Sequence, residues 1–155
     1  MSFRPAIVDI MMGKRGPSLT PPPAGPVGQY IQRIAVTSDF PAAVRVIHSA
    51  AATLTSSQNA LCVLFAGGVA ASAPDGGKPR TLDREVRSLV QRAATTGSRI
   101  FLGRIAVEPV GPATARAVLI VHRPPSGAAY SMAELATLTA FAEQLHAIFP
   151  ALLRR

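Results

Sequence analysis

Few side chains in this sequence are suited to nucleophilic or metal chemistry near neutral pH. They are one thiol, Cys62, and three imidazoles, His48, His122 and His146. A reactive cysteine needs exposure and positive charge nearby, because only the thiolate attacks. Cys62 instead lies in the apolar run Ala60–Ala66 (ALCVLFA) and reads as a structural thiol. A single cysteine permits neither an intrachain disulfide nor a zinc site built from several cysteines. The histidines fall on three separate elements, whereas a metal site needs them to converge with a carboxylate. His122 ends an apolar strand, where its side chain is placed to enter a cleft beneath a sheet.

Anion chemistry has two candidate positions. Arg80, Arg84 and Arg87 cluster at the start of a predicted helix, with Arg92 further along. Arginines at a helix start suit an anion, although Asp83 and Glu85 dilute that field and Asp83–Arg87 has the spacing of a helix ion pair. Gly76-Gly77-Lys78 has the look of a phosphate-binding loop. Position 72 is Ser where the motif requires Gly, and Pro79 follows the lysine where Ser or Thr is needed, so a turn is the better reading.

These side chains must be held by a body of ordinary domain size: 155 residues, 48% of them hydrophobic. Trp is absent and aromatics are 5%, so the core is built of Val, Ile, Leu and Ala. The formal net charge of +8 is almost all arginine, with Lys14 and Lys78 the only lysines. The arginines are scattered, and neither a base-reading helix nor interleaved aromatics are present, so no nucleic-acid partner is expected. The apolar stretch Ala6–Met12 is interrupted by Asp9, is too short to span a bilayer and lacks a signal-peptide layout. No membrane insertion and a reducing, cytoplasmic setting are expected.

Residues 1–26, rich in Pro and Gly, read as a flexible segment. Val27–Ile34 reads as a short helix. Ser38 or Asp39 caps the next helix, Pro41 suits its first turn, and Val44, Ile47, Ala51 and Leu54 line one face. Ala60–Ala66, Gly67-Gly68 and the following VAASA read as a strand, a tight turn and a second strand. Thr81 is the expected cap of a helix whose inner face is Val86, Leu89, Val90 and Ala93, and Gly97 is its stop. Arg99–Val110 gives one or two strands broken at Gly103, with Pro109 marking an edge position or a strand end. The strand Ala115–His122 is apolar almost throughout, which places it centrally with both faces covered.

The closing helix, 131–153, carries the strongest signals. Ser131 and Glu134 form a capping box, and Tyr130 and Leu135 occupy staple positions. Two heptad-spaced lines share a centre and make a wide apolar stripe. One flank covers the sheet; the other, through Leu138, Phe141, Leu145, Ile148 and Leu152, is expected to meet a second copy in a homodimer, with burial of the whole stripe in its own chain as the alternative. Pro150 is expected to kink or end the helix. The whole predicts an α+β fold: a central antiparallel sheet of about five strands with helices packed mainly on one face.

With this order of elements the chain resembles a GAF domain over roughly residues 39–153. AVLIVHRPPSGAAYSMAELATLTAFAEQLHAIF is similar to the family's last strand, loop and closing helix, and TLDREVRSLVQRAATTGSRIFLG to the helix and turn before its third strand. PAS-like and Roadblock modules share a related plan. The resemblance implies a sensory or regulatory module in bacterial signalling and not an enzyme; the chain is expected either to act on a partner in trans or to be a fragment of a longer protein. It transfers no binding residue and implies no particular cofactor. The Asn-Lys-x-Asp signature of cyclic-nucleotide-binding members is missing, Cys62 is followed by Val63 where bilin-attaching members have His, and Phe101–Val107 leaves no room for the usual lid. A small-molecule receptor is the alternative, with a cleft near Cys62, Leu64, Phe101, Ile120 and His122; a redox enzyme using Cys62 is a third.

Overall fold

The computed structural model describes residues 25–57, 60–64 and 82–154. Two helices open it, α1 (Gly25–Ala35) and α2 (Phe40–Leu54). Asp39 caps α2, its side chain accepting a hydrogen bond from the Ala42 N–H at 2.8 Å, and Pro41 lies in the first turn. Helix α3 (Arg84–Thr96) ends at Gly97, which takes the left-handed conformation (φ +72°). Its N-cap is Asp83, with no side-chain cap hydrogen bond, and not the expected Thr81, which itself lies outside the described residues. Strands β1 (Ile100–Leu102), β2 (Ile105–Val110) and β3 (Ala117–His122) follow, and α4 (Met132–Leu153) closes the chain.

Among the described residues the sheet has three antiparallel strands in the order β1-β2-β3, not about five. The second strand of the expected Gly67-Gly68 hairpin lies outside the described residues. Leu61–Leu64 keeps the alternation of an extended segment: Cys62 and Leu64 join one core cluster, Leu61 and Val63 the other. The β1–β2 hairpin turns at Gly103 (φ +58°), between paired Leu102 and Ile105, because a two-residue turn requires positive φ.

Among the described strands β2 is the middle one. Pro109 lies one residue from the end of that strand, the strand-end position expected of it, and not at the sheet's edge. It is tolerated because β1 pairs only Ile105–Val107, so the missing N–H has no ladder partner to lose. Strand β3 sits at the end of the described order; both its faces are covered, as its apolar sequence requires.

Helices lie on both faces, with the larger group on one. Ala106, Val110, Ala117, Leu119 and Val121 face the cluster formed with α1, α2 and α4. Val107, Val118 and Ile120 face Leu89, Val90 and Ala93 of α3. Burying fully a side chain of this size stabilises the fold by about 1.5–3 kcal/mol.

Helix α4 is packed between β2 and the α1–α2 pair, and this overturns the expected dimer seam. Leu138, Phe141, Leu145 and Leu152 are fully buried in their own chain, and Ile148 packs against the same core. A stripe wide enough for two partners has found both inside the chain: the sheet on one flank, α1 and α2 on the other. Pro150 does not end the helix, which continues to Leu153. At the other boundary, Gly25 and Pro26 belong to α1, so the helix starts inside the segment expected to be flexible.

Candidate functional site

Beside the end of β2 opens a groove of about 280 Å3, bounded by the α3–β1 turn, the segment after β2 and the middle of α4. Among the residues that line it is Glu108, whose side chain is only 1% exposed. A buried carboxylate must be paired and hydrogen-bonded to remain charged. Arg99 Nε donates to Glu108 Oε1 at 3.0 Å, and Thr139 Oγ1 on α4 donates to Oε2 at 2.6 Å. The same guanidinium reaches Glu143 through Nη2 at 3.6 Å, at a point where both side chains meet solvent.

The other walls are equally ordered. Arg116 Nη1 donates to the Ala94 carbonyl at 2.6 Å, a favourable place for a cation because the C-terminal end of α3 carries partial negative charge. The guanidinium lies across Gly97, where an added Cβ would come within 3.1 Å of Nη2. His146 Nδ1 accepts a hydrogen bond from the Gly111 N–H at 2.9 Å. An imidazole accepting at Nδ1 carries its proton on Nε2 in the neutral form, so a ring N–H remains as a donor.

A second polar cluster, at the opposite end of β3, surrounds Arg123. Its Nε donates to Ser57 Oγ at 3.3 Å, and Nη1 donates to the Ala128 and Ala129 carbonyls at 3.2 Å each. Nη2 donates to the Thr55 carbonyl and to Glu134 Oε2. The guanidinium lies 4.2 Å from the Tyr130 ring centroid, and the Tyr130 hydroxyl is hydrogen-bonded to Ser57 at 3.1 Å. Burial raises the Tyr130 phenol above its ordinary pKa, the dominant effect over the lowering by Ser57 and Arg123. Glu134 is lowered, first by the Ser131 backbone N–H of the capping box and then by Arg123. This clasp ties the end of α2 to the start of α4.

The predicted ligand residues do not share a cleft. Cys62 and Leu64 face the α1–α2–α4 side, Ile120 faces α3 on the opposite side of the sheet, and Phe101 is 37% exposed on strand β1. His122, half-buried, ends β3 and pairs with Ile105. Alternation along the strands separates these residues, a parity that distance in sequence hides. The Cys62 thiol is fully buried, lies 3.9 Å from the His48 carbonyl and is pushed by burial far above the ordinary thiol range. Of the predicted anion residues, Arg84 and Arg87 are exposed; Arg87 donates to the Leu82 carbonyl at 3.3 Å, and Arg80 lies outside the described residues. Among the described residues, no three His, Cys, Asp or Glu side chains gather as a metal site would require.

Sequence reasoning missed Glu108 and Arg123. For Glu108 a signal existed: the period of two puts it on the face of Ala106 and Val110, the face that α4 covers. Arg123, between a strand and a Pro-rich turn, carried none.

This arrangement of helices and sheet matches a solved structure, the GAF domain from Acinetobacter phosphoenolpyruvate-protein phosphotransferase. The TM-score is 0.60, and the match covers 83% of this chain and 93% of that one at 13% sequence identity. The fold is GAF-like. No protein-family model matches the sequence, and no curated protein matches it. The GAF-like fold is thus reached with very different side chains, and the groove must be judged on its own residues. No described helix of this GAF-like chain is long and apolar enough to cross a membrane.

Proposed function

We propose that this chain is a non-catalytic regulatory module on a GAF-like fold, acting in bacterial signalling from the cytoplasm through contacts with a second copy or with a partner in trans. The observation that carries this reading is the double role of α4. Glu143 and His146 line the groove, while Leu145 and Phe149, in the same turns, pack in the core. Phe149 meets Phe40 of α2 edge-on, with ring centroids 6.1 Å apart. A change at the groove therefore has a packed route to the helical layer, and densely packed elements move as units rather than deform smoothly.

The thiol supports the same reading: a buried, protonated cysteine is a poor nucleophile. A turnover by the purified protein that Cys62→Ser abolishes would overturn the non-catalytic assignment. Dimerisation, with the inner stripe of α4 committed to its own core, belongs to the outer face, where Ala136, Ala147 and Ala151 are exposed. Sedimentation velocity tests this: Ala147→Glu is expected to convert a dimer to a monomer. A dimer that survives the change places the interface elsewhere, and a monomeric parent leaves the partner in trans.

A further inference from the structure

We propose that the groove beside β2 is a binding site for a compact oxyanion, a carboxylate or phosphate group on a small molecule. Its effector role rests on the regulatory reading above; the binding itself rests on the groove's geometry alone.

Three side chains have donors available there. Arg116 uses Nη1 on the Ala94 carbonyl and, among the described residues, has no carboxylate partner, so Nη2 and Nε remain. Arg99 uses Nε on Glu108 and Nη2 toward Glu143, which among the described residues leaves Nη1. His146, its Nδ1 held by Gly111, offers Nε2–H. Planar guanidinium groups suit carboxylate and phosphate oxygens because two parallel N–H bonds match two oxygens.

Formally the two arginines are balanced by Glu108 and Glu143, but the two carboxylates differ. Glu108 is saturated by Arg99 and Thr139 and is 1% exposed, so it turns little charge toward an entering ligand. Glu143 is 65% exposed and held only at 3.6 Å. It occupies the place on Arg99 that an anion would take, and it can swing into water at little cost. Glu143 thus competes with the ligand. The volume of about 280 Å3 suits a small acid or a phosphate group better than a whole nucleotide.

Amide NMR titration of the full chain at constant ionic strength tests this, with inorganic phosphate and succinate as separate probes and sodium chloride as control. Saturable shifts at Gly97, Gly111 and His146 with either probe support the site, and the probe that saturates identifies the chemistry. Glu143→Gln is expected to tighten that binding at least threefold, and Arg116→Gln to weaken it at least tenfold. Shifts that grow linearly and match chloride overturn the proposal, as does binding that neither variant alters. Where Arg116→Gln fails to fold for want of its contact with α3, Glu143→Gln decides: unchanged or weaker binding overturns the competition on which the site depends. Failure of either kind leaves the regulatory reading standing, because α4 couples groove and helices whatever the groove holds.

Discussion

The molecule contains two arginine clusters built from the same chemistry and put to different uses. At the clasp, Arg123 directs all three of its nitrogens to acceptors, lies over Tyr130 and leaves its side chain 11% exposed. At the groove, Arg99 is 46% exposed and, among the described residues, keeps one nitrogen unengaged, and Arg116 has one nitrogen engaged. An arginine whose donors are all engaged is a structural cross-link; one with donors left over can recognise something. Charge alone does not distinguish them, and neither does position in the sequence.

The broadest test of this contrast acts on the element that both clusters share. Helix α4 begins in the clasp and passes the groove, so Phe141→Glu, which buries a charge between them, should unfold both. A loss of more than about 4 kcal/mol is expected, read from urea denaturation; a folded variant with altered mass would return Phe141 to an interface. Next in size, Arg123→Gln should cost about 3 kcal/mol, the scale for breaking one side of a mostly buried ion pair. Amide shifts at Gly97 and Gly111 should stay unchanged in the folded protein; if they move, the two clusters are not independent.

Glu134→Gln tests the clasp more gently. A loss of about 1.5 kcal/mol at neutral pH is expected, the low end for a hydrogen bond to a charged group that is partly in water. The sign with pH follows from the lowered carboxyl of Glu134. Its contribution is fully present above the ordinary glutamate range and is lost as pH falls through the lowered folded value. Parent and variant should therefore converge in acid, and a gap that persists there would show that packing, not charge, holds the clasp. Smallest is Gly97→Ala, at about 1 kcal/mol from the positive φ. The added methyl presses on Arg116, so this change should alter the amide environment at Gly111 while leaving Tyr130 untouched. Thermal melts and amide spectra check both parts.

How much of this was legible in the sequence differs element by element. The capping box of α4 was legible because it is local: Ser131 accepts from the Glu134 N–H, and Glu134 accepts from the Ser131 N–H. The Asp39 cap of α2, the stop at Gly97 and the turn at Gly103 were legible for the same reason. The ligand cleft was misread because Cys62 and Ile120 fall on opposite sides of the sheet. Nothing local to either strand reveals how their faces are matched. The dimer seam was misread because an apolar stripe states how much area must be covered and not by what.

Chain-local physics, then, determined the helices, the caps of α2 and α4, the tight turn and the antiparallel α+β plan, since each depends on residues a few positions apart. Tertiary structure decided what covers α4, which of the described strands lies in the middle, and which arginines are spent. Those outcomes depend on which carbonyls and carboxylates arrive from segments far away, Ala94 for Arg116 and Thr55 for Arg123, and only the folded chain brings them within hydrogen-bond reach.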